Sequence, residues 1–149
     1  MRVAFASDHA GVQERMALIE AASRLGWETV DLGPPSAQPV DYPAYAQQLG
    51  ALVARGEVDR GVLLCGTGIG MSIAANKVPG VRAALVHEAL SARLARQHND
   101  ANVLVLGARV TGIELMKAAL EAFLAEPFTP GDDGRHARRV AALERPHDA

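Results

Sequence analysis

The chain has 149 residues, which favours one domain, and folding at that size buries roughly 68–70% of the surface that the open chain exposes. Hydrophobic residues make up 49% and charged residues 21%, and this composition excludes a disordered or fibrous protein. The 15 Lys and Arg residues almost balance the 17 Asp and Glu residues, so no overall positive charge attracts nucleic acid or an acidic membrane.

Short apolar runs alternate with longer helical patterns along the chain. The predicted strands are residues 3–6, 28–32, 61–64, 82–86 and 103–106, and the predicted helices are 11–25, 44–54, 71–76, 89–97 and 113–125. The first helix is predicted to be amphipathic, with apolar positions at Val12, Met16, Ile19 and Ala22. Gly26 ends that helix, and the proline-rich segment up to Pro43 is a predicted loop.

Five strand–helix units in this order predict right-handed crossovers and a five-stranded parallel sheet with helices on both faces. The predicted fold class is a single Rossmann-like α/β/α sandwich with a C-terminal helix extension. Residues 1–149 then form one domain, in which 128–149 comprise a linker up to 134, a terminal helix at 135–143 and a tail. In such folds the site lies in the loops at the carboxyl ends of the strands.

Cys65 is the only cysteine, which excludes an internal disulfide framework and a zinc site built from several cysteines. The first nine residues contain too short an apolar stretch for a secretion signal. The charge-free stretch 61–76 is too short and too interrupted to span a bilayer. We therefore expect a cytoplasmic protein without a membrane segment.

The most informative segment is the glycine-rich turn that follows the third strand, which reads Cys65-Gly66-Thr67-Gly68-Ile69-Gly70-Met71-Ser72. Alternating glycines let the backbone approach a ligand closely, and successive N–H groups at a helix N-terminus suit an anion. The same donors stabilise a thiolate, so Cys65 is a candidate base or nucleophile. The alternative is that a cysteine ending a buried strand is a small core residue.

The spacing of the glycines argues against nucleotide binding at this turn. They read G-x-G-x-G followed by Met71, so the third glycine of a dinucleotide fingerprint is absent, and the turn follows the third strand rather than the first. The chain contains no G-x-x-x-x-G-K-[ST] sequence, which excludes a Walker-type phosphate loop.

Asp8 and His9 directly follow the first strand, so we expect both side chains at the same sheet edge as Cys65. An acid and an imidazole at that edge can move protons or bind hydroxyls and phosphate. Alternatively, Asp8 only caps the helix that begins near Gly11. His98 ends a later helix, where a histidine often interacts only with the helix dipole, so it is a weak signal when taken alone.

The terminal helix is rich in arginine. Arg135 and Arg139 are four residues apart and share a helix face, which offers two guanidinium forks to a phosphate, while Arg138 points further round. A solvated basic face is the alternative interpretation. Arg109, just after the fifth strand, either adds to a phosphate site or pairs with a surface acid.

Taken together, these segments resemble the sugar-phosphate isomerase family of the type B ribose-5-phosphate isomerases and the galactose-6-phosphate isomerase subunits. The matching pieces follow the family's order and are residues 7–11, 41–43, 65–77, 91–112 and 134–139. The stretches CGTGIGMSIAANK and RQHNDANVL are long and specific. The chain departs from the family at residues 12–15, where an aromatic and a lysine are common, and in a slightly expanded loop at 129–133.

The resemblance implies an enzyme that interconverts an aldose phosphate and a ketose phosphate through ring opening and a cis-enediolate, without cofactor or metal. Cys65 matches the base of the family's cysteine branch, because Ile69 stands where another branch has a glutamate. The expected pair is D-ribose 5-phosphate and D-ribulose 5-phosphate. The alternatives are allose or galactose 6-phosphate, a tetrose or tetrulose 4-phosphate, or a non-catalytic subunit that binds a sugar phosphate.

The resemblance also implies a role for each candidate residue. The catalytic residues are Cys65, Thr67 and, for ring opening, His98 with Asp8. The backbone of the turn binds the developing oxyanion through Thr67, Gly66, Gly68, Ile69, Gly70 and Ser72. Tyr42 and Asn99 contact substrate hydroxyls or the ring oxygen, and the phosphate ligands are His9, Arg109, Arg135 and Arg139. In the family some of these arginines come from a second subunit, which implies a homodimer with active sites at its interface and leaves a tetramer open.

Overall fold

The computed structural model describes residues 1–144, and within them the chain forms five strands and six helices. The strands are β1 (Arg2–Ser7), β2 (Glu28–Asp31), β3 (Arg60–Cys65), β4 (Ala83–Leu85) and β5 (Val103–Gly107). The helices are α1 (Val12–Arg24), α2 (Tyr42–Ala54), α3 (Ile69–Ala75), α4 (Ala89–Asn99), α5 (Ile113–Ala125) and α6 (Arg135–Leu143). A 3-10 turn, His9–Gly11, precedes α1.

All strand pairs are parallel, and the strand order is β2-β1-β3-β5-β4. Ser7 pairs with Leu64, and Cys65 pairs with Gly107, so β1, β3 and β5 end at one edge of the sheet, which we call the carboxyl edge. The opposite edge, where the strands begin, is the amino edge. This arrangement confirms the predicted Rossmann-like α/β/α fold with a five-stranded parallel sheet and a C-terminal helix.

The core lies on both faces of the sheet, because alternate side chains of each central strand point to opposite faces. Phe5 and Leu64 pack with α1, α4 and α5 on one face. Leu63 and Cys65 pack with α2 and α3 on the other face. The apolar strands are therefore read correctly from the sequence as buried on two sides.

The predicted apolar face of α1 is correct for Ala22, which is buried, and for Ile19, which packs against the core, but it is wrong for Met16. Met16 is 53% exposed, whereas Leu18, Ala22 and the charged Arg15 are buried. Arg15 can be buried because its guanidinium pairs with the Asp31 carboxylate at 3.0 Å and donates to the Ser7 hydroxyl and the Pro34 carbonyl at 2.7 Å each. A buried charge with such partners does not show in a hydrophobic pattern.

Several element boundaries also differ from the sequence expectation. Helix α2 begins at Tyr42 because Pro43 fits the first helical turn, where its missing N–H is not needed. Helix α4 extends to Asn99, and Asp100 ends it in a left-handed conformation with φ of 46°. Of the predicted 128–149 segment, residues 145–149 lie outside the described part of the chain.

Candidate active site

The thiol of Cys65 lies at the end of β3 and is bonded to the turn that follows it. The Gly68 N–H donates to the sulfur over 3.1 Å, and only 5% of Cys65 is exposed. A backbone donor aimed at sulfur stabilises negative charge there. Cys65 is therefore a buried core residue between α2 and α3 whose sulfur faces the glycine turn.

The shape of the turn depends on three glycines, Gly68, Gly70 and Gly107, at which neighbouring atoms leave no room for a side chain. Gly68 has φ of +79°, and a Cβ on it would lie 2.4 Å from Cδ1 of Leu85. A Cβ on Gly70 would lie 2.6 Å from Cζ of Tyr42, so the phenol covers the first turn of α3. A Cβ on Gly107 would lie 2.6 Å from the Thr67 carbonyl oxygen. Tyr42 therefore lies against the glycine turn.

The first turn of α3 presents backbone donors next to the thiol. The Thr67 hydroxyl accepts from the Ile69 N–H over 3.3 Å, and the Ser72 hydroxyl donates to the Ile69 carbonyl over 2.9 Å. The next N–H groups, on Gly70 and Met71, have no acceptor inside the helix because they belong to its first turn. These donors suit an oxygen that becomes negative.

Asp8 and His9 lie at the same carboxyl edge. The Asp8 N–H donates to the Leu64 carbonyl over 3.0 Å, one residue before the cysteine. Oxygen Oδ1 of Asp8 accepts from the Ala10 N–H over 2.8 Å, so the carboxylate caps the 3-10 turn rather than α1 itself. Nδ1 of His9 accepts from the Val40 N–H over 3.5 Å, at the long limit of a hydrogen bond.

Arg109 adds a positive charge to this edge. Its N–H donates to the Gly66 carbonyl over 2.9 Å, and its guanidinium passes 3.5 Å from the position of a Cβ on Gly66. Within residues 1–144 no carboxylate forms an ion pair with Arg109. The alternative that Arg109 pairs with a surface acid therefore has no support in the described part of the chain.

His98 and Asn99 lie at the opposite, amino edge of the sheet. Helix α4 starts after β4 at the carboxyl edge and runs back, so its last turn stands where β5 begins. Asn99 lines a cavity of about 610 Å³ together with Val81 and Ala101, which precede β4 and β5. Strand β5 alone spans about 16 Å at a rise of about 3.3 Å per residue, so His98 does not reach Asp8 or Cys65 within one chain.

The arginines of α6 lie with His98 rather than with Cys65. The His136 and His98 rings stack with centroids 4.4 Å apart, and α6 contacts α4. Arg138 pairs with Asp133 over 3.5 Å, while Arg135 and Arg139 have no ion-pair partner among residues 1–144. The backbone N–H of Arg135, and after it the Arg138 guanidinium, hold the pKa of the Asp133 carboxyl below its usual range.

The candidate residues thus form two groups in one chain. The group at the carboxyl edge contains Asp8, His9, Tyr42, Cys65, Gly66, Thr67, Gly68, Ile69, Gly70, Ser72 and Arg109. The group at the amino edge contains His98, Asn99, Arg135 and Arg139. Sequence reasoning missed Gly107 and His136. The sequence signal for Gly107 was a glycine directly after the apolar run of the fifth strand, and in the structure it pairs with Cys65. No local sequence pattern marks His136.

The described residues form neither a metal site nor a membrane-spanning helix. Among residues 1–144, no three His, Cys, Asp or Glu side chains converge in a way that would hold a metal ion. In the same part of the chain, none of the helices combines the length and the apolar character that crossing a bilayer requires.

Comparison with known proteins adds to this geometry. Residues 3–143 match the family described as Ribose/Galactose Isomerase. The chain is 46% identical over 142 residues to ribose-5-phosphate isomerase B of Escherichia coli, covering 95% of this chain and 93% of that protein. The type B ribose 5-phosphate isomerase structure of Trypanosoma brucei superposes with a TM-score of 0.92 at 46% identity, over 96% of each chain. The type B ribose 5-phosphate isomerase structure of Trypanosoma cruzi superposes with a TM-score of 0.93 at 45% identity, covering 97% of this chain and 96% of that chain.

Proposed function

The chain belongs to the ribose/galactose isomerase family of aldose–ketose isomerases, and from that premise we propose that it interconverts D-ribose 5-phosphate and D-ribulose 5-phosphate. Cys65 is the proton-transfer base, and residues 1–149 act as one catalytic domain. The observation that carries the assignment is the 3.1 Å contact from the Gly68 N–H to the cysteine sulfur, beside the first turn of α3. One free thiol as base fits a reducing cytoplasm.

The proposed chemistry needs few groups. The Cys65 thiolate removes the C2 proton of the open-chain aldose, and the electrons of that bond move toward the C1 carbonyl oxygen to give a cis-enediolate. A proton then returns from sulfur to C1, and a proton passes from the C2 oxygen to the C1 oxygen, which yields the ketose. The N–H groups of Gly70 and Met71 and the Thr67 hydroxyl stabilise the enediolate oxygens.

Some of the ring-opening and phosphate groups come from a second copy of the chain. His98, Asn99, Arg135 and Arg139 lie at the amino edge, about one strand length from Cys65, so within one chain they do not meet the groups at the carboxyl edge. In a two-fold dimer whose axis is perpendicular to the strands, the strands of one copy run opposite to those of the other. This reversal brings the amino edge of one sheet to the carboxyl edge of the other, and His98 of the partner subunit then approaches Cys65.

The surface around β4 fits this dimer. Strand β4 ends the sheet, and exposed apolar side chains flank it on α3 and α4: Ile69, Ile73, Leu90 and Leu94, with exposures of 54, 57, 59 and 36%. The Asn76 side chain bonds both the N–H and the carbonyl of Ala83 over 2.9 Å, so another strand cannot pair there. Association through the helix side chains is the remaining route, and it buries the apolar patch.

The phosphate then lies between two sets of cations. Arg109 and His9 stand beside the glycine turn of one subunit, and Arg135 and Arg139 come from the partner. The distance between this anion site and the Cys65 sulfur sets the length of sugar that is accepted. Substrate length is therefore decided by the placement of α6 and the loop 129–133 that precedes it.

The test is kcat/KM of the purified chain on ribose 5-phosphate, allose 6-phosphate, galactose 6-phosphate and erythrose 4-phosphate, with Cys65→Ala as the control. We expect the highest value for ribose 5-phosphate and loss of turnover in the variant. Preference for another sugar phosphate would keep the chemistry and overturn the substrate. Turnover of none of them would overturn the proposed activity and favour a subunit that binds sugar phosphate.

A further inference from the structure

His136 is a buried histidine in the first turn of an otherwise exposed helix. It is 6% exposed, and its N–H donates to the Pro130 carbonyl over 3.0 Å. Its ring stacks on His98 with centroids 4.4 Å apart and planes tilted by 44°. The loop that supplies Pro130 is the one that the sequence shows as expanded. Both nitrogens of this buried imidazole have hydrogen-bond partners, as is usual for buried polar groups that are fixed in a structure.

The contacts of the His136 ring select one tautomer. Nδ1 lies 2.8 Å from the Thr129 carbonyl oxygen, which can only accept, so Nδ1 carries the proton. Nε2 lies 3.3 Å from Nε of Arg135, which can only donate, so Nε2 is unprotonated. Two independent neighbours therefore require the same neutral form, with one ring nitrogen holding the loop and the other holding the arginine.

We propose that His136 is a positioning residue that orients two groups of the proposed isomerase site at once, the His98 imidazole by ring stacking and the Arg135 guanidinium through Nε2. The inference rests on the proposed function for the roles of His98 and Arg135. It assigns to His136 no contact with substrate. The ring-opening group and the phosphate ligand are then held in a fixed relation by one side chain.

The surroundings explain why a positioning group is needed there. His98 lies in the exposed last turn of α4, where its side chain is free to change rotamer unless a neighbour holds it. Arg135 has no ion-pair partner among residues 1–144 that would fix its long side chain. The loop itself is anchored to α4, because the Thr129 N–H donates to the Gln97 carbonyl over 3.0 Å and Gln97 Nε2 donates to Glu126 over 2.6 Å.

Two variants of His136 distinguish its stacking on His98 from its hydrogen bond with Arg135. His136→Phe keeps an aromatic ring against His98 and loses both polar contacts, so we expect KM for ribose 5-phosphate to rise about tenfold with kcat near the wild-type value. His136→Asn keeps a donor for the Thr129 carbonyl but loses both the stacking ring and the acceptor for Arg135, so we expect the same rise in KM and, in addition, a fall of about tenfold in kcat for ribose 5-phosphate. Arg138→Met, in the same helix and loop, is the matched control and leaves both constants unchanged.

A second readout separates ring opening from proton transfer. Ribulose 5-phosphate is open-chain, because its C5 oxygen carries the phosphate, so exchange of its C1 hydrogen in D₂O needs Cys65 but no ring opening. At saturating substrate we expect this exchange in His136→Asn to stay within about threefold of wild type while turnover of ribose 5-phosphate falls. Equal losses in both reactions, or no loss in either variant, would overturn the positioning role.

The tautomer is measured on the unsubstituted chain, so the test does not depend on a variant that folds. A long-range ¹⁵N–¹H correlation spectrum is expected to show His136 protonated at Nδ1 and unprotonated at Nε2. Protonation at Nε2 in place of Nδ1 would overturn the inference. A wild-type chain that neither converts ribose 5-phosphate nor exchanges the ribulose hydrogen would instead refute the proposed function, and the spectrum would still decide the His136 contacts.

Discussion

The Gly68 N–H points at the sulfur of Cys65 from a distance of 3.1 Å, and Gly68 itself has a positive φ of 79° at the start of α3. The proposed catalytic atom and the turn that donates a hydrogen bond to it are thus one local structure. The stability of the turn and the proposed activity of the cysteine are therefore connected, and substitutions of Gly68 and Cys65 test each of them.

Substitution of Cys65 by alanine removes the proposed base. We expect kcat to fall by at least about a hundredfold, the lower range for a positioned acid or base, with KM little changed. Steady-state rates on ribose 5-phosphate give both constants. Circular dichroism checks that the variant is folded, because Cys65 is also a buried core residue. A kcat within a few-fold of wild type would show that the thiol is structural only.

Substitution of Gly68 by alanine tests the turn. The new Cβ faces two costs, a positive φ and a 2.4 Å contact with Leu85, so we expect a loss of about 2–5 kcal/mol in unfolding free energy together with loss of activity. Gly26→Ala is the matched control: its φ of +85° is similar, but no atom lies within 4 Å of the new Cβ. It should cost about 1–2 kcal/mol and leave activity intact. Urea unfolding of both variants measures the two free energies of unfolding. Equal losses of stability in Gly68→Ala and Gly26→Ala would contradict the steric explanation.

The start of α4 carries a pH-dependent cap. The Ser91 hydroxyl, followed by the Ser91 and Leu90 N–H groups, lowers the pKa of Glu88 from its ordinary value of 4.5. The folded state therefore prefers the ionised carboxylate, and the added stability is present above pH 4.5 and lost as the pH falls through the lowered value.

We accordingly expect Glu88→Ala to melt below wild type at pH 7, with the difference in Tm narrowing as the pH falls below 4.5. Ser91→Ala, which removes the largest cause of the shift, should reproduce part of this pH dependence. Thermal melts between pH 7 and pH 3 measure it. A difference in Tm that stays constant over this range would contradict the assigned cap.

The surface beside β4 is the proposed dimer contact. Ile73→Glu places a charge in the apolar patch on α3, so we expect dissociation to monomers in sedimentation at micromolar concentration and loss of activity, while the monomer stays folded. Met16→Glu is the control, because Met16 is similarly exposed at 53% but lies on α1, away from β4. If Ile73→Glu stays dimeric and active, the interface lies elsewhere.

The sequence allowed the sheet to be predicted because its buried strands are apolar runs of the right length, separated by helical patterns. It also placed Asp8, His9 and Cys65 at one edge, since parallel strands end together. It failed for Arg15, whose charge is buried because Asp31 pairs with it and because Ser7 and Pro34 accept its hydrogen bonds. Such partners are distant in the chain and leave no periodic signal.

The grouping of the site residues was harder to read from the sequence. His98 was expected with Asp8, yet helix α4 carries it away from that edge to the start of β5. The direction of a helix between parallel strands follows from the fold, so this separation could have been deduced. The His98–His136 contact could not, because it depends on the loop from 126 to 134 folding back onto α4.

Mixing two inactive variants tests most directly whether each site is built from two chains, with Cys65 from one and His98 from the other. Cys65→Ala and His98→Asn are unfolded together in equal amounts, refolded, and assayed on ribose 5-phosphate. In a mixed dimer one site has both native residues, so we expect about one quarter of wild-type activity to return, because half of the dimers are mixed and each has one intact site of two. If both residues of a site came from the same chain, every site would carry one substitution, and the mixture would stay as inactive as its components.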